Sequence, residues 1–134
     1  MTRIVAGSAK GRTLAVPKSG TRPTSERVRE ALFSRLDHMN VLEGATVLDL
    51  FAGTGALGLE ALSRGAARAT LVEKASAAAR VASANVRATG LPARVVTADV
   101  RAYLGARSGE ALTGENDLVF IDPPYDIPEG DMTT

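Results

Sequence analysis

From Ala45 to Ile121 the chain alternates short apolar runs with helix-forming segments, and this alternation leaves few folds open. Thr46–Phe51 is the first apolar run, and it ends in a glycine-rich turn. Leu57–Ser63 then begins a helix that stops near Gly65. Ala69–Val72 is a second strand, closed by Glu73 and Lys74. The Ala-rich stretch Ala75–Thr89 is a strong helix former, terminated by Gly90 and Pro92. Arg94–Thr97 is a third strand, a short helix follows at about Val100–Leu104, residues 105–114 form a polar loop, and Leu118–Ile121 is a fourth strand. A β-α-β-α-β-α-β order predicts an α/β fold: a parallel sheet with helices on both faces, joined by right-handed crossovers.

The first forty residues follow another pattern. Residues 3–6 and 12–16 predict two short strands around a Gly7–Gly11 turn, hence an N-terminal β-hairpin. Pro17–Pro23 reads as a connector. Thr24 or Ser25 then caps a helix whose Val28, Ala31, Leu32 and Leu36 form one apolar stripe. The chain of 134 residues holds one modest core, and it divides into a basic hairpin-and-helix extension (1–40) and a ligand-binding core (41–134).

Charge is concentrated in the extension. Residues 1–35 carry eight bases against two acids, a net +6 that leaves −5 for the rest of a chain whose formal charge is +1. A positive arm on a near-neutral protein fits phosphate neutralisation, and it fits a solvated surface equally well. The absence of Cys excludes disulfides and thiolate metal sites, and the single His38 cannot build a zinc site, so no metal is expected. No apolar run approaches the roughly 18 residues a membrane span requires, and no apolar signal segment follows Arg3, which predicts a cytoplasmic protein.

In a doubly wound sheet, ligands sit beyond the carboxyl ends of the strands. After the first core strand comes Asp49-Leu-Phe-Ala-Gly53-Thr-Gly55-Ala-Leu-Gly58, where glycines permit a tight turn and close backbone approach to a ligand. Gly53, Gly55 and Gly58 satisfy the dinucleotide pattern G-x-G-x-x-G, a weak signal by itself. Asp49, four residues before the first glycine, would repel a pyrophosphate and attract a cation. S-adenosylmethionine, with a sulfonium, an amino group and no phosphate, suits such a turn better than a nicotinamide dinucleotide. Glu73 ends the second strand and can accept from both ribose hydroxyls in either class of ligand. Asp99 can accept from the adenine amine beside the Val100 N–H, or it can simply cap the short helix that follows.

The most specific element is Asp122-Pro123-Pro124-Tyr125, directly after the fourth strand. Two prolines stiffen the backbone, remove two N–H donors and leave carbonyls as acceptors. The Asp122 carboxylate and Pro123 carbonyl are expected to bind the two hydrogens of a substrate amine, with Tyr125 stacked on its ring. The lone pair would then face a sulfonium methyl. Such in-line transfer gains most from positioning, with effective molarities on the order of 10⁵ M.

Val47–Gly58, Glu73, Asp99 and Asp122–Tyr125 together resemble, in order and spacing, the class I S-adenosylmethionine-dependent methyltransferases of exocyclic amines. Gly7–Leu14, Thr21-Arg-Pro-Thr24 and Arg27-Val-Arg-Glu-Ala-Leu-Phe33 are similar to the RsmD family. That resemblance implies a Rossmann-like core and methylation of a guanine N2 amine in small-subunit (16S) ribosomal RNA. It also implies a cofactor shell of Asp49, Ala52, Gly53, Thr54, Gly55, Glu73, Lys74, Asp99 and Val100, with Arg22 and Thr24 at the methionine end. Arg3, Lys10, Arg12, Lys18 and Arg22 would meet rRNA phosphates. Members of this fold normally continue with three more strands after the tetrapeptide, so a chain ending at Thr134 is expected to be a fragment or to be completed by something else. The alternatives are an adenine-N6 DNA or a protein glutamine methyltransferase, a nucleic-acid-binding module without catalysis, and a nicotinamide-dependent dehydrogenase.

Overall fold

The structure is a computed structural model that describes residues 2–16, 25–106 and 116–122. Its elements, in chain order, are β1 (Thr2–Arg3), β2 (Thr13–Leu14), α1 (Glu26–His38), β3 (Thr46–Leu50), α2 (Ala56–Ser63), β4 (Arg68–Glu73), α3 (Ser76–Thr89), β5 (Ala93–Thr97), α4 (Val100–Ala106) and β6 (Leu118–Ile121). β3 to β6 form one parallel sheet in the order β5-β4-β3-β6, and β1 pairs with β2 in a separate antiparallel hairpin. This is the Rossmann-like α/β architecture that the alternation predicts. The hairpin is shorter than the sequence suggests, two residues per strand; beyond it the turn closes through the Ile4 N–H on the Arg12 carbonyl (3.0 Å) and the Gly11 N–H on the Ile4 carbonyl (2.9 Å).

Alternation along each strand sorts the core into two layers. Val47, Leu71 and Phe120 face α1, α2 and the hairpin residues Ile4, Ala9 and Leu14, whereas Leu48, Leu50, Val72 and Val119 face Tyr103 of α4. Such a period of two is what a strand covered on both faces requires. Winding runs outward from β3 to β4 and β5, then returns to the far side of β3 with β6. The topological switch point, where sheets of this type bind ligands, therefore lies between the carboxyl ends of β3 and β6.

Two local expectations need correction. In α1 the buried residues are Arg29 and Phe33, with Leu32 and Leu36 at the margin, while Val28 and Ala31 are exposed. Phe33 packs at a tilt on Phe120, ring centroids 5.5 Å apart, and the Arg64 guanidinium lies over its ring, 5.3 Å from the centroid. A ring of this size contributes about 2–3 kcal/mol by burial, which outweighs the smaller Val28 and rotates the helix. Phe51 is not the last strand residue: it turns into the left-handed region (φ 60°), which bulky side chains rarely adopt.

Candidate active site

The glycine turn is built from the end of β3, and its three glycines do different work. A Cβ on Gly58 would come within 2.3 Å of a Leu71 methyl, and one on Gly55 within 3.0 Å of the other Leu71 methyl, so these two positions let α2 and the turn close onto β4. Gly53 (φ 57°) has open space where a Cβ would be, so its side of the turn is accessible to a ligand. Ala52 N–H donates to the Val72 carbonyl (2.9 Å) and Gly55 N–H to the Ala52 carbonyl (2.8 Å), which ties the turn to β4 and to itself.

Asp49 is buried at 1% exposure. Its Oδ2 accepts the Gly58 N–H at 3.1 Å, while Oδ1 meets no donor among the described residues. Burial pushes the Asp49 carboxyl up to about 8; the Gly58 N–H opposes this, and the charges of Asp122 and Glu73 add to it. Without a cationic neighbour the group is therefore largely protonated at pH 7, rather than the anion expected from sequence. A cation placed against Oδ1 would restore the charge.

Glu73, at the end of β4, accepts the Gly53 N–H through Oε1 (2.8 Å) and the Ala75 N–H through Oε2 (2.8 Å). It thereby holds the turn and the start of α3 before any ligand arrives, and each oxygen keeps a further lone pair for a hydroxyl. Ala52 and Gly53 are half-buried, Thr54 and Gly55 buried, and Lys74 exposed. Asp99 accepts the Arg101 N–H (2.8 Å), the helix-capping role that sequence left open, and remains exposed next to half-buried Val100.

Asp122 follows β6 directly, and β6 pairs with β3 so that Phe120 lies opposite Asp49 and Ile121 opposite Leu50. The carboxyl ends of two adjacent strands thus bring Asp122 close enough to Asp49 for their charges to interact. Pro123, Pro124 and Tyr125, like Lys18, Arg22 and Thr24, lie outside the described residues. A cavity of about 610 Å³ lies at the amino ends of the strands, against Thr46, Arg68, Thr70, Arg94, Tyr103 and Asn116. It sits at the far end of the sheet from these carboxylates, whereas sheets of this type bind ligands at the carboxyl end of the strands. Among the described residues no cluster suited to a metal ion occurs, and no helix there is long and apolar enough to cross a membrane.

Two polar groups that sequence reading passed over organise the region. Glu60 of α2 is fully buried; its oxygens accept Val5 N–H (2.9 Å), Ala6 N–H (3.1 Å), Arg29 Nη1 (3.0 Å) and Arg64 Nε (2.9 Å). Arg29, one of the eight bases of the arm, is therefore internal at 0% exposure and cannot neutralise a phosphate. Arg3 is exposed but pairs with Glu26 (3.2 Å), Arg12 donates to the Ala88 carbonyl (3.3 Å), and Lys10 is exposed. Asn85 of α3 bonds both Ala15 and Thr54. Neither Glu60 nor Asn85 differs in sequence from an ordinary solvent-facing helix residue.

The family described as Conserved hypothetical protein 95 matches residues 2–132. Ribosomal RNA small subunit methyltransferase D of Escherichia coli K12 is 46% identical over 125 residues, covering 92% of this chain and 60% of that protein. The chain thus spans about 60% of the length of that relative. Among solved structures, a hypothetical protein of Thermus thermophilus superposes with a TM-score of 0.84 at 41% identity, covering 98% of this chain and 74% of the other. SMU.776, solved in complex with S-adenosylhomocysteine, superposes with a TM-score of 0.56 at 28% identity, covering 75% of this chain and 28% of the other.

Proposed function

The chain belongs to the RsmD family, described as Conserved hypothetical protein 95, and from that premise we propose that it is an S-adenosylmethionine-dependent methyltransferase of the exocyclic N2 amine of a guanine in small-subunit ribosomal RNA. The observation that carries this reading is the convergence of Asp49 and Asp122 at the ends of paired strands on either side of the switch point. The relative's name supports rRNA as the substrate class, and the neighbour holding S-adenosylhomocysteine supports the methyl donor.

The residues present fit that donor. Among the described residues a buried oxygen on Asp49 meets no donor and Gly53 has open space beside the turn, and Glu73 and Asp99 offer acceptors to ribose and adenine. Ala52, Thr54, Gly55, Lys74 and Val100 complete the proposed shell, with Arg22 and Thr24 at its methionine end. S-adenosylmethionine, when bound, supplies a methyl group on an electron-poor sulfonium. Asp122 accepts one hydrogen of the substrate amine and the Pro123 carbonyl the other, which orients the nitrogen lone pair toward the methyl carbon. Transfer would form the N–C bond as the methyl–sulfur bond breaks, its electron pair staying on sulfur so that S-adenosylhomocysteine leaves as a neutral thioether; the amine proton, made acidic by the new bond, would pass to solvent, so no strong base is needed. Tyr125 stacks on the base, and Pro124 stiffens the loop that carries both acceptors. Positioning of this kind is the main source of acceleration for an in-line displacement. Residues 1–40 serve as the RNA-binding extension, through Arg3, Lys10, Arg12, Lys18 and Arg22.

Titration calorimetry with S-adenosylhomocysteine and with NAD tests the ligand assignment. S-adenosylhomocysteine should bind with micromolar or better affinity and NAD should not; tight NAD binding with none for S-adenosylhomocysteine would make the chain a dehydrogenase domain.

A further inference from the structure

We propose that Asn85 is a positioning residue that joins the N-terminal arm to the glycine turn, so that affinity for the cofactor depends on a rung the arm makes with α3. The proposal rests on the reading above, in which the turn holds S-adenosylmethionine.

Asn85 is 2% exposed and every bond of its amide is to backbone. Oδ1 accepts the Ala15 N–H at 2.7 Å, while Nδ2 donates to the Ala15 carbonyl at 3.1 Å and to the Thr54 carbonyl at 2.9 Å. The partners fix the orientation of the amide: one N–H must meet the oxygen and two carbonyls must meet the nitrogen, so a flipped amide would lose all three bonds. Toward Ala15 the side chain exchanges an N–H and a carbonyl bond, as a residue of a neighbouring strand would. Ala15 follows β2 directly and leads to the segment that contains Arg22 and Thr24.

Toward the turn, Asn85 acts on the Thr54–Gly55 peptide. Its carbonyl is held by Asn85 and its N–H by the Ala52 carbonyl (2.8 Å), so both sides of this plane are fixed. Ala82, one helical turn before Asn85, would be 3.8 Å from a Cβ on Gly55, and these small residues allow α3 to come so close. The arm and the cofactor turn thus share a single amide, and a displacement of Ala15 is felt at Thr54. A buried amide with three directed bonds sets geometry in a way that an apolar residue of similar size cannot.

The test is calorimetry of S-adenosylhomocysteine binding to the whole chain, as wild type, Asn85→Ala and Ala15→Pro, well below each melting transition. Asn85→Ala should weaken binding about tenfold. Ala15→Pro removes one N–H remote from the ligand and leaves the Asn85–Thr54 bond in place, and it should weaken binding about threefold or more. Binding within about 1.5-fold of wild type in Ala15→Pro would overturn the link between arm and turn. Unchanged binding in a folded but less stable Asn85→Ala would reduce Asn85 to a packing residue; if that variant does not fold, Ala15→Pro alone decides. A wild-type chain that binds no S-adenosylhomocysteine would instead overturn the cofactor reading, and this proposal with it.

Discussion

Asp49 caps helix α2 from nine positions earlier in the chain: its Oδ2 accepts the Gly58 N–H at 3.1 Å, whereas Gly55, the N-cap itself, has no side chain for that purpose. One carboxyl thereby caps the helix, while its second oxygen, buried, meets no donor among the described residues. The partial positive charge of the helix N-terminus suits an anion there, yet burial prevails and holds the proton on the group up to about pH 8.

Stability should follow from that proton. Asp49 has a raised pKa in the folded state, so the folded chain holds a proton that the unfolded chain has released between about pH 4 and pH 8. Its contribution is then fully present below the unfolded value and is lost as pH rises toward 8, at about 1.4 kcal/mol per pH unit at most. Urea melts at pH 5, 6, 7 and 8 measure this, and Asp49→Asn, which cannot titrate, should lose less stability across the same range than the wild type. Parallel curves for the two proteins would show that Asp49 titrates normally.

Glu60 holds the hairpin against the core, and its replacement should be far more costly than that of any exposed ion pair. Glu60→Ala leaves Arg29 buried without a counter-charge and the Val5 and Ala6 N–H groups without acceptors, a loss of about 3–5 kcal/mol. Arg3→Ala, which breaks the exposed pair with Glu26, should cost under about 1 kcal/mol. Denaturant midpoints at pH 7 compare the two.

Gly58→Ala should destabilise the chain although alanine is the better helix former. The new methyl would meet the Leu71 methyl at 2.3 Å in a core where Leu71 is fully buried, and overpacking of this kind costs about 1–3 kcal/mol against a propensity gain of about 1 kcal/mol. A thermal melt should show a lower midpoint, and a higher one would mean that Leu71 yields freely.

The parallel sheet was legible because strands buried on both faces read as short continuous apolar runs and glycine marks the ends of helices: Leu118–Ile121 and the Gly90 stop of α3 lie where the sequence puts them. The stripe of α1 was misjudged because pattern reading counts arginine as solvent-facing, and Arg29 lies inside, neutralised by a carboxylate 31 positions away. The left-handed Phe51 and the backbone bonds of Asn85 depend on which elements meet in space, and no local propensity reports that. For the candidate site, Asp49, Glu73 and Asp122 could be chosen because strand ends face the ligand edge of such a sheet. That Glu73 would already be engaged by the Gly53 and Ala75 N–H groups could not be read from residue types.

The most direct test of the proposed activity is transfer of labelled methyl from S-adenosylmethionine to small ribosomal subunits that lack the modification, followed by nucleoside analysis. The account predicts label in N2-methylguanosine, a rate about 10²-fold lower in Asp122→Ala, and S-adenosylhomocysteine affinity in that variant close to wild type. Label in DNA adenine or protein glutamine with none in ribosomal RNA, or an Asp122→Ala variant as fast as wild type, would contradict it.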